Sequence, residues 1–280
     1  MGARASAEKS EPAPMITDGR TARSSLEYGT KLATPNMGRW TFTLYPDAAE
    51  GGGSFRSAAR SSGGGYSVGP APDSRPTAAR RARGKVRRYC AANRLNRLGT
   101  LTYAGAGCHD PAELREDVAG FFKRLRGSTG ERFPYLWVPE WHKQGHGLHV
   151  HFAVGRYIFV GTIKEAWQRG FVHIKLLGDL PVGSGTRGEA RMAARYLSKY
   201  AGKDLGEDAR GNLGTGEAAG LHRYEVAQGF QPKKSTFSGT SAEEVLAWAE
   251  SCMGTAPEYL WRSRDQEKWE GPPAVWASWA

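Results

Sequence analysis

The sequence predicts an α+β fold, a central antiparallel β-sheet of the split βαβ kind with flanking helices packed on one face. Two observations carry this. From Leu98 to Lys203 the hydrophobic period switches between two and 3.6 in the order β-α-β-β-α-β-α. In the middle of that run two strand patterns, Tyr135 to Trp141 and Leu148 to Val154, are separated only by a short turn, which makes them a hairpin. The chain has 280 residues, enough for one large domain or two modest ones with a sizeable core.

The elements follow in order. Residues 1–79 are more than half Ala, Gly, Ser and Pro, and the runs at Gly51 to Gly53 and Gly63 to Gly65 show no period. Such a segment is expected to stay mostly disordered, because it cannot bury enough apolar area to offset its chain entropy. Within it, Trp40 to Leu44 alternates and could pair as an isolated strand. Arg80 to Arg97 holds eight basic residues and no acid (Arg80, Arg81, Arg83, Lys85, Arg87, Arg88, Arg94 and Arg97), with a partial helical stripe at Val86, Tyr89 and Cys90. That composition suits a solvated basic helix or one that holds phosphates; the rest of the chain favours the second.

Leu98 to Tyr103 alternates as a strand. Asp110 and Pro111 supply an N-cap and a first helical residue, and Leu114, Val118, Phe121, Phe122 and Leu125 continue the helical period to Gly127. After the hairpin, Thr162 to Arg169 reads as a short helix, Phe171 to Leu177 as a strand and Arg187 to Lys203 as a helix. This places the main domain at 80–230. The remainder, 231–280, is expected to be a helical extension: Ser241 and Glu244 form a capping box, and five of nine tryptophans lie at or beyond Trp248.

Composition excludes several classes. Formal net charge is +11, from 39 Lys and Arg against 28 Asp and Glu, which favours a polyanionic partner. Three dispersed cysteines exclude a disulfide scaffold and an all-cysteine zinc site. There is neither an apolar run long enough for a membrane span nor a signal-peptide core, so a cytoplasmic protein with no membrane partner is expected.

Four of seven histidines lie between positions 142 and 151. On a strand, His149 and His151 share one face, while Leu148, Val150, Phe152 and Val154 take the other. A four-residue turn at Gln144 to Gly147 would set Glu140 opposite His151 and His142 opposite His149. Two imidazoles and a carboxylate then converge, as in an open site for a divalent ion that polarises phosphate oxygens. His142 and His146 could be a spare ligand, a DNA contact or simply loop. In the last helix, Ala190, Ala193, Ala194, Leu197 and Ala201 fall in one arc of about 100°, whereas Tyr196, Lys199, Tyr200 and Lys203 fall in another. The tyrosines therefore stand apart from the packing stripe, and nearby ammonium groups would favour a phenolate.

Three segments in order, Leu98-Gly-Thr-Leu-Thr-Tyr103, His149-Val-His151 and Tyr196-Leu-Ser-Lys199-Tyr200-Ala-Gly-Lys203-Asp204, resemble the motifs of the HUH endonucleases that initiate rolling-circle replication. The likeness spans roughly residues 85–205 and is greatest to initiators of actinobacterial plasmids and related phage-like elements. It implies an HUH-type sheet of the ferredoxin and RNA-recognition kind. It also implies Mg2+ or Mn2+ on His149 and His151 with Glu140 as third ligand, and origin DNA, single-stranded or in a hairpin, as substrate. A tyrosine attacks the scissile phosphate and leaves a 5′-phosphotyrosine and a 3′-OH primer. Single-tyrosine members match Tyr196, and plasmid initiators with a Lys-Tyr-Ser-Gly-Lys-Asp run match Tyr200. Because both are present, a two-tyrosine site is expected, with Tyr200 attacking first and Lys199 orienting the phosphate. Lys203 and the basic run would hold DNA. No Walker-type motif is present, so a host helicase and polymerase would complete replication. Rival readings are a conjugative relaxase, a structural zinc site, and a non-catalytic nucleic-acid module that stacks bases on exposed Tyr103 and Trp137.

Overall fold

The structure, a computed structural model, describes residues 38–57, 75–142, 145–175, 185–201 and 222–280. Its main sheet is antiparallel throughout. It is built from β3 (Arg97–Tyr103), β4 (Tyr135–Trp141), β5 (Leu148–Val154), β6 (Gly170–Lys175) and β7 (Glu225–Val226), in the order β6-β3-β5-β4-β7. Helix α2 (Pro111–Thr129) connects β3 to β4 and α3 (Val160–Trp167) connects β5 to β6, so β3 and β4 straddle β5. This is the split βαβ arrangement expected from the sequence.

Local chemistry starts α2 where the sequence suggests, but the helix runs on past Gly127 to Thr129. The Asp110 carboxylate accepts from the Ala112 amide at 2.8 Å to open α2, and Gly130 at φ 74° closes it. Gly99 on β3 matters for a different reason. A Cβ there would stand 2.3 Å from the Phe152 ring, so the missing side chain lets that ring cross the strand.

The two crossover helices lie on one face as expected, over Leu101, Tyr103, Trp137, Val150 and Phe152. The opposite face is covered as well. Helices α1 (Arg75–Ala92) and α4 (Gly185–Ala201) pack there against Leu98, Leu136, Val138 and Ala153. These four apolar residues sit on the same face as the histidines, and half of that face therefore needs a cover. Val86, Tyr89 and Cys90 of α1 meet Ala193, Ala194, Leu197 and Ala201 of α4 above it.

The expectation of a disordered arm fails for residues 39–56. Strands β1 (Arg39–Tyr45) and β2 (Glu50–Arg56) form a hairpin, and 75–79, also placed in that arm, begin helix α1 (Arg75–Ala92); residues 1–37 and 58–74 lie outside the described residues. The hairpin joins β8 (Ser235–Gly239), β9 (Tyr259–Arg262) and β10 (Ala274–Ser278) in a second antiparallel sheet, ordered β8-β1-β2-β10-β9. The segment expected to be a helical extension thus contributes three strands to a sheet. It does carry one helix, α5 (Ala242–Met253), capped by Ser241 and Glu244 as the sequence suggests. The glycine run is part of the packing: a Cβ at Gly51 would sit 2.4 Å from the Phe42 ring and one at Gly53 3.0 Å from it. The ring occupies the space left by the two glycines, beneath Val245 and Ala249 of α5.

A buried acid joins the second sheet to α1. Glu50, 2% exposed, accepts two hydrogen bonds from Arg87 at 2.8 and 3.1 Å and lies 3.6 Å from Arg88. Arg87 also stacks over Trp276 and Arg88 over Tyr45, at 5.1 and 4.7 Å from the ring centres. Changing both Arg87 and Arg88 to Ala would leave a buried carboxylate without its cations, which should destabilise the protein by about 3–5 kcal/mol. Denaturant unfolding measures this, and a loss under about 1 kcal/mol would show that Glu50 does not anchor the junction.

Candidate metal centre and tyrosine pair

The hairpin turn decides which side chains meet. The His142 amide donates to the Gly147 carbonyl at 2.8 Å, so the turn closes one residue earlier than expected. Gly145 and Gly147 take positive φ of 78° and 76°. The Leu148 amide donates to Cys108 O at 2.6 Å, which ties the start of β5 to the loop before α2. The register moves by two residues: Glu140 lies opposite His149, not His151, and Val138 lies opposite His151. A shift of two keeps every side chain on its face, and the expected triad still forms.

Glu140 Oε2 is 3.0 Å from His149 Nε2 and 2.8 Å from His151 Nε2, and the two Nε2 atoms are 3.1 Å apart. Glu140 and His151 are buried, at 8% and 6% exposure. Thr100 Oγ1 on β3 is 3.0 Å from His151 Nδ1. If that hydroxyl accepts the Nδ1 proton, the His151 Nε2 lone pair points at the cluster. The ring of His149 is held edge-on to His151, and its Nδ1 is buried with no hydrogen-bond partner among the described residues. Glu140, His149 and His151 form a possible metal-binding triad. One ion fits within about 2.0–2.2 Å of all three atoms, an ordinary bond length for imidazole and carboxylate ligands. Three protein ligands leave coordination positions open, whereas structural zinc sites are closed by four.

Of the two histidines left undecided by the sequence, His146 donates through Nε2 to the Tyr103 carbonyl at 3.2 Å and braces the turn. His142 lies with its ring centre 5.7 Å from that of His149.

Helix α4 sets both tyrosines over this cluster. The Tyr200 ring stacks on His151 at 4.2 Å and 22°, and Tyr196 meets His151 edge-on at 5.9 Å. The Tyr200 hydroxyl donates to the Tyr196 hydroxyl at 3.0 Å. Burial first, then that hydrogen bond and the nearby Glu140, push the Tyr200 pKa above its ordinary value. These groups act against the phenolate that the sequence led one to expect at Tyr200. The alanine stripe is buried as expected, and Lys199 is exposed.

The sheet adds residues that the sequence reading missed. Phe171, His173 and Lys175 on the edge strand β6 lie on the face that carries the triad, opposite Thr102, Thr100 and Leu98. Phe171 is 70% exposed, and Lys175 Nζ sits 4.2 Å from the Tyr196 ring centre. Their signal was the period-two pattern of β6, which becomes informative only once β6 is known to pair with β3.

Arg80, Arg81, Arg83 and Lys85 lie exposed along α1, and Arg97 is exposed at the start of β3. Arg87 and Arg88 are engaged with Glu50, and Arg94 bonds the Ala91 carbonyl at 2.8 Å. Lys203 lies outside the described residues. Tyr103 and Trp137, which a base-stacking module would expose, are buried at 6% and 3% beneath α2 and α3. The Tyr103 hydroxyl donates to Asp117 at 3.0 Å.

Residues 96–205 match the family model of the replication-associated protein ORF2/G2P. That span is about two fifths of the chain and runs from β3 past α4, so it contains the triad, both tyrosines and Lys199. The match supports a replication-associated protein. Neither α1 nor the second sheet falls within it. No curated protein and no solved structure matches the chain significantly. No described helix is long and apolar enough to cross a membrane.

Calorimetric titration with Mn2+ tests the centre. His151→Ala should abolish binding. Thr100→Val, which removes only the partner of Nδ1, should weaken it by roughly 10–100-fold. Full affinity in both variants would show that the triad does not hold the ion.

Proposed function

We propose that the protein is a replication initiator that nicks one DNA strand at its origin and rejoins it after a round of rolling-circle synthesis. The observation that carries this reading is the stacking of Tyr200 on His151 beside the Glu140–His149–His151 cluster. A nucleophile and three ligand atoms converge on a patch of sheet left open at the β6 edge.

Tyr200 Oη attacks the scissile phosphorus in line with the departing 3′-oxygen. The Oη–P bond forms, the P–O3′ bond breaks, the phenol gives up its proton and the 3′-oxygen gains one. The product is a 5′-phosphotyrosine and a free 3′-OH, and reversal by that hydroxyl or by another strand's 3′-OH rejoins the DNA. Tyr196, hydrogen-bonded to Tyr200, is placed to act as the second nucleophile. Lys199 contributes positive charge beside the phosphate. A bound Mg2+ or Mn2+ supplies charge that polarises the phosphate oxygens and offsets the negative charge of attack. Thr100 and the β4–β5 pairing keep the three ligands aligned before substrate arrives.

Incubation with supercoiled plasmid carrying the cognate origin and Mn2+ should yield open circles. Tyr196→Phe with Tyr200→Phe should abolish nicking, and each single change should leave a reduced rate, more reduced at Tyr200. Nicking by the double variant at the wild-type rate would overturn the proposal.

A further inference from the structure

The basic residues of α4 do not all belong to the tyrosine centre. At 100° per residue, Arg191, Arg195, Ser198 and Lys199 occupy an arc of about 100° on the side of α4 away from its alanine stripe, and Lys199 borders Tyr196. Arg83 and Arg87 of α1 face the same space. Together these six residues line a groove of about 530 Å3 with five cations, one hydroxyl and no acid or aromatic ring among them.

Two of the groove's arginines are tied to the second sheet and its flanking residues. Glu50 fixes Arg87 from below. Arg191 donates to the carbonyls of Ala49 and Trp279 at 3.2 and 2.7 Å, so its guanidinium is anchored at the junction. Burial, more than any neighbour, lowers the pKa of Arg191; Arg187 and Arg87 add to this, while Glu50 and Glu258 oppose it. Arg83, Arg195 and Lys199 remain exposed above it.

We propose that this groove, formed by α1 and α4, binds the sugar-phosphate backbone of the DNA flanking the cleavage point. The inference rests on the nickase reading for its choice of polyanion, and it adds a binding track outside the matched 96–205 span on its α1 side. Arginine forks suit phosphate oxygens. A lining without rings suits backbone contact rather than base stacking, hence binding without regard to sequence. Arg191 and Lys199 are eight residues apart on α4, about 12 Å along its axis. B-form DNA carries one phosphate per about 3.4 Å of each strand, so the groove spans several phosphates. Lys199 connects it to the tyrosine pair, so a strand can pass from the metal face into the groove without leaving positive charge.

The test is binding without cleavage. The full chain is titrated in EDTA against a labelled 20-nucleotide strand of arbitrary sequence and against the same sequence as duplex, across a series of NaCl concentrations. Arg83→Gln with Arg195→Gln changes two exposed groups and is compared with Lys233→Gln with Lys234→Gln, which removes the same charge elsewhere. The groove variant should bind about tenfold more weakly at low salt. Its slope of log affinity against log salt should fall by about 1.4 for the strand or about 1.8 for the duplex, while the control stays near wild type. Ser198→Asp, which puts an acid into the groove, should weaken binding as well. A larger effect on one DNA form assigns the groove to that form. Equal affinities and slopes for groove and control variants, with Ser198→Asp unchanged, would overturn the inference. Loss of groove binding in a protein that still nicks separates this inference from the catalytic one. Intact groove binding in a protein that never nicks would sink only the nickase reading.

Discussion

Strict alternation along β5 is the constraint on which the rest of the molecule depends. One face of that strand carries Leu148, Val150, Phe152 and Val154 into the core under α2 and α3. The other carries His149, His151 and Ala153. The apolar face drives the strand into place, and the histidines are then held on a rigid sheet with no loop to position them. Glu140 joins from β4 and Thr100 from β3 at the same parity, so three adjacent strands contribute to a cluster whose ligand atoms lie about 3 Å apart.

A face that is half polar site and half apolar needs a partial cover, and α4 is that cover. Its alanines approach the sheet closely because they are small, which brings the next arc of the helix, Tyr196 and Tyr200, down onto His151. Helix α1 packs against α4, and the second sheet clamps both through Glu50 and the carbonyls that Arg191 binds. The hairpin at 39–56 and the strands between 235 and 278 thus act on the position of the tyrosine helix.

The triad was legible in the sequence because its signal is parity, and parity survives an error of two in register. The turn is displaced by one residue on each side, Glu140 faces His149 and not His151, and the same three residues still converge. The tyrosines were legible by helical angle, since they fall outside the alanine arc. The second sheet was not. β2 reads Glu-Gly-Gly-Gly-Ser-Phe-Arg, and glycine carries no side chain to reveal a period of two. The partner of β1 on its other side, β8, lies almost 200 residues further on, and what fills the glycine positions is the Phe42 ring of a neighbouring strand. The cover on the histidine face was hidden for a similar reason: Leu98, Leu136, Val138 and Ala153 form a patch only when three strands are laid side by side.

The central claim, that a tyrosine on α4 becomes joined to DNA over the histidine cluster, can be read at the level of one peptide. Trypsin cuts after Arg195, Lys199 and Lys203, so Tyr196 and Tyr200 fall in separate four-residue peptides, Tyr-Leu-Ser-Lys and Tyr-Ala-Gly-Lys. Mass spectrometry of the nuclease- and trypsin-treated adduct, formed with origin DNA and Mn2+, should find the nucleotide remnant on the Tyr200 peptide, with a minor share on that of Tyr196. A remnant on any other residue, or DNA cleaved with no covalent protein attached, would contradict the account.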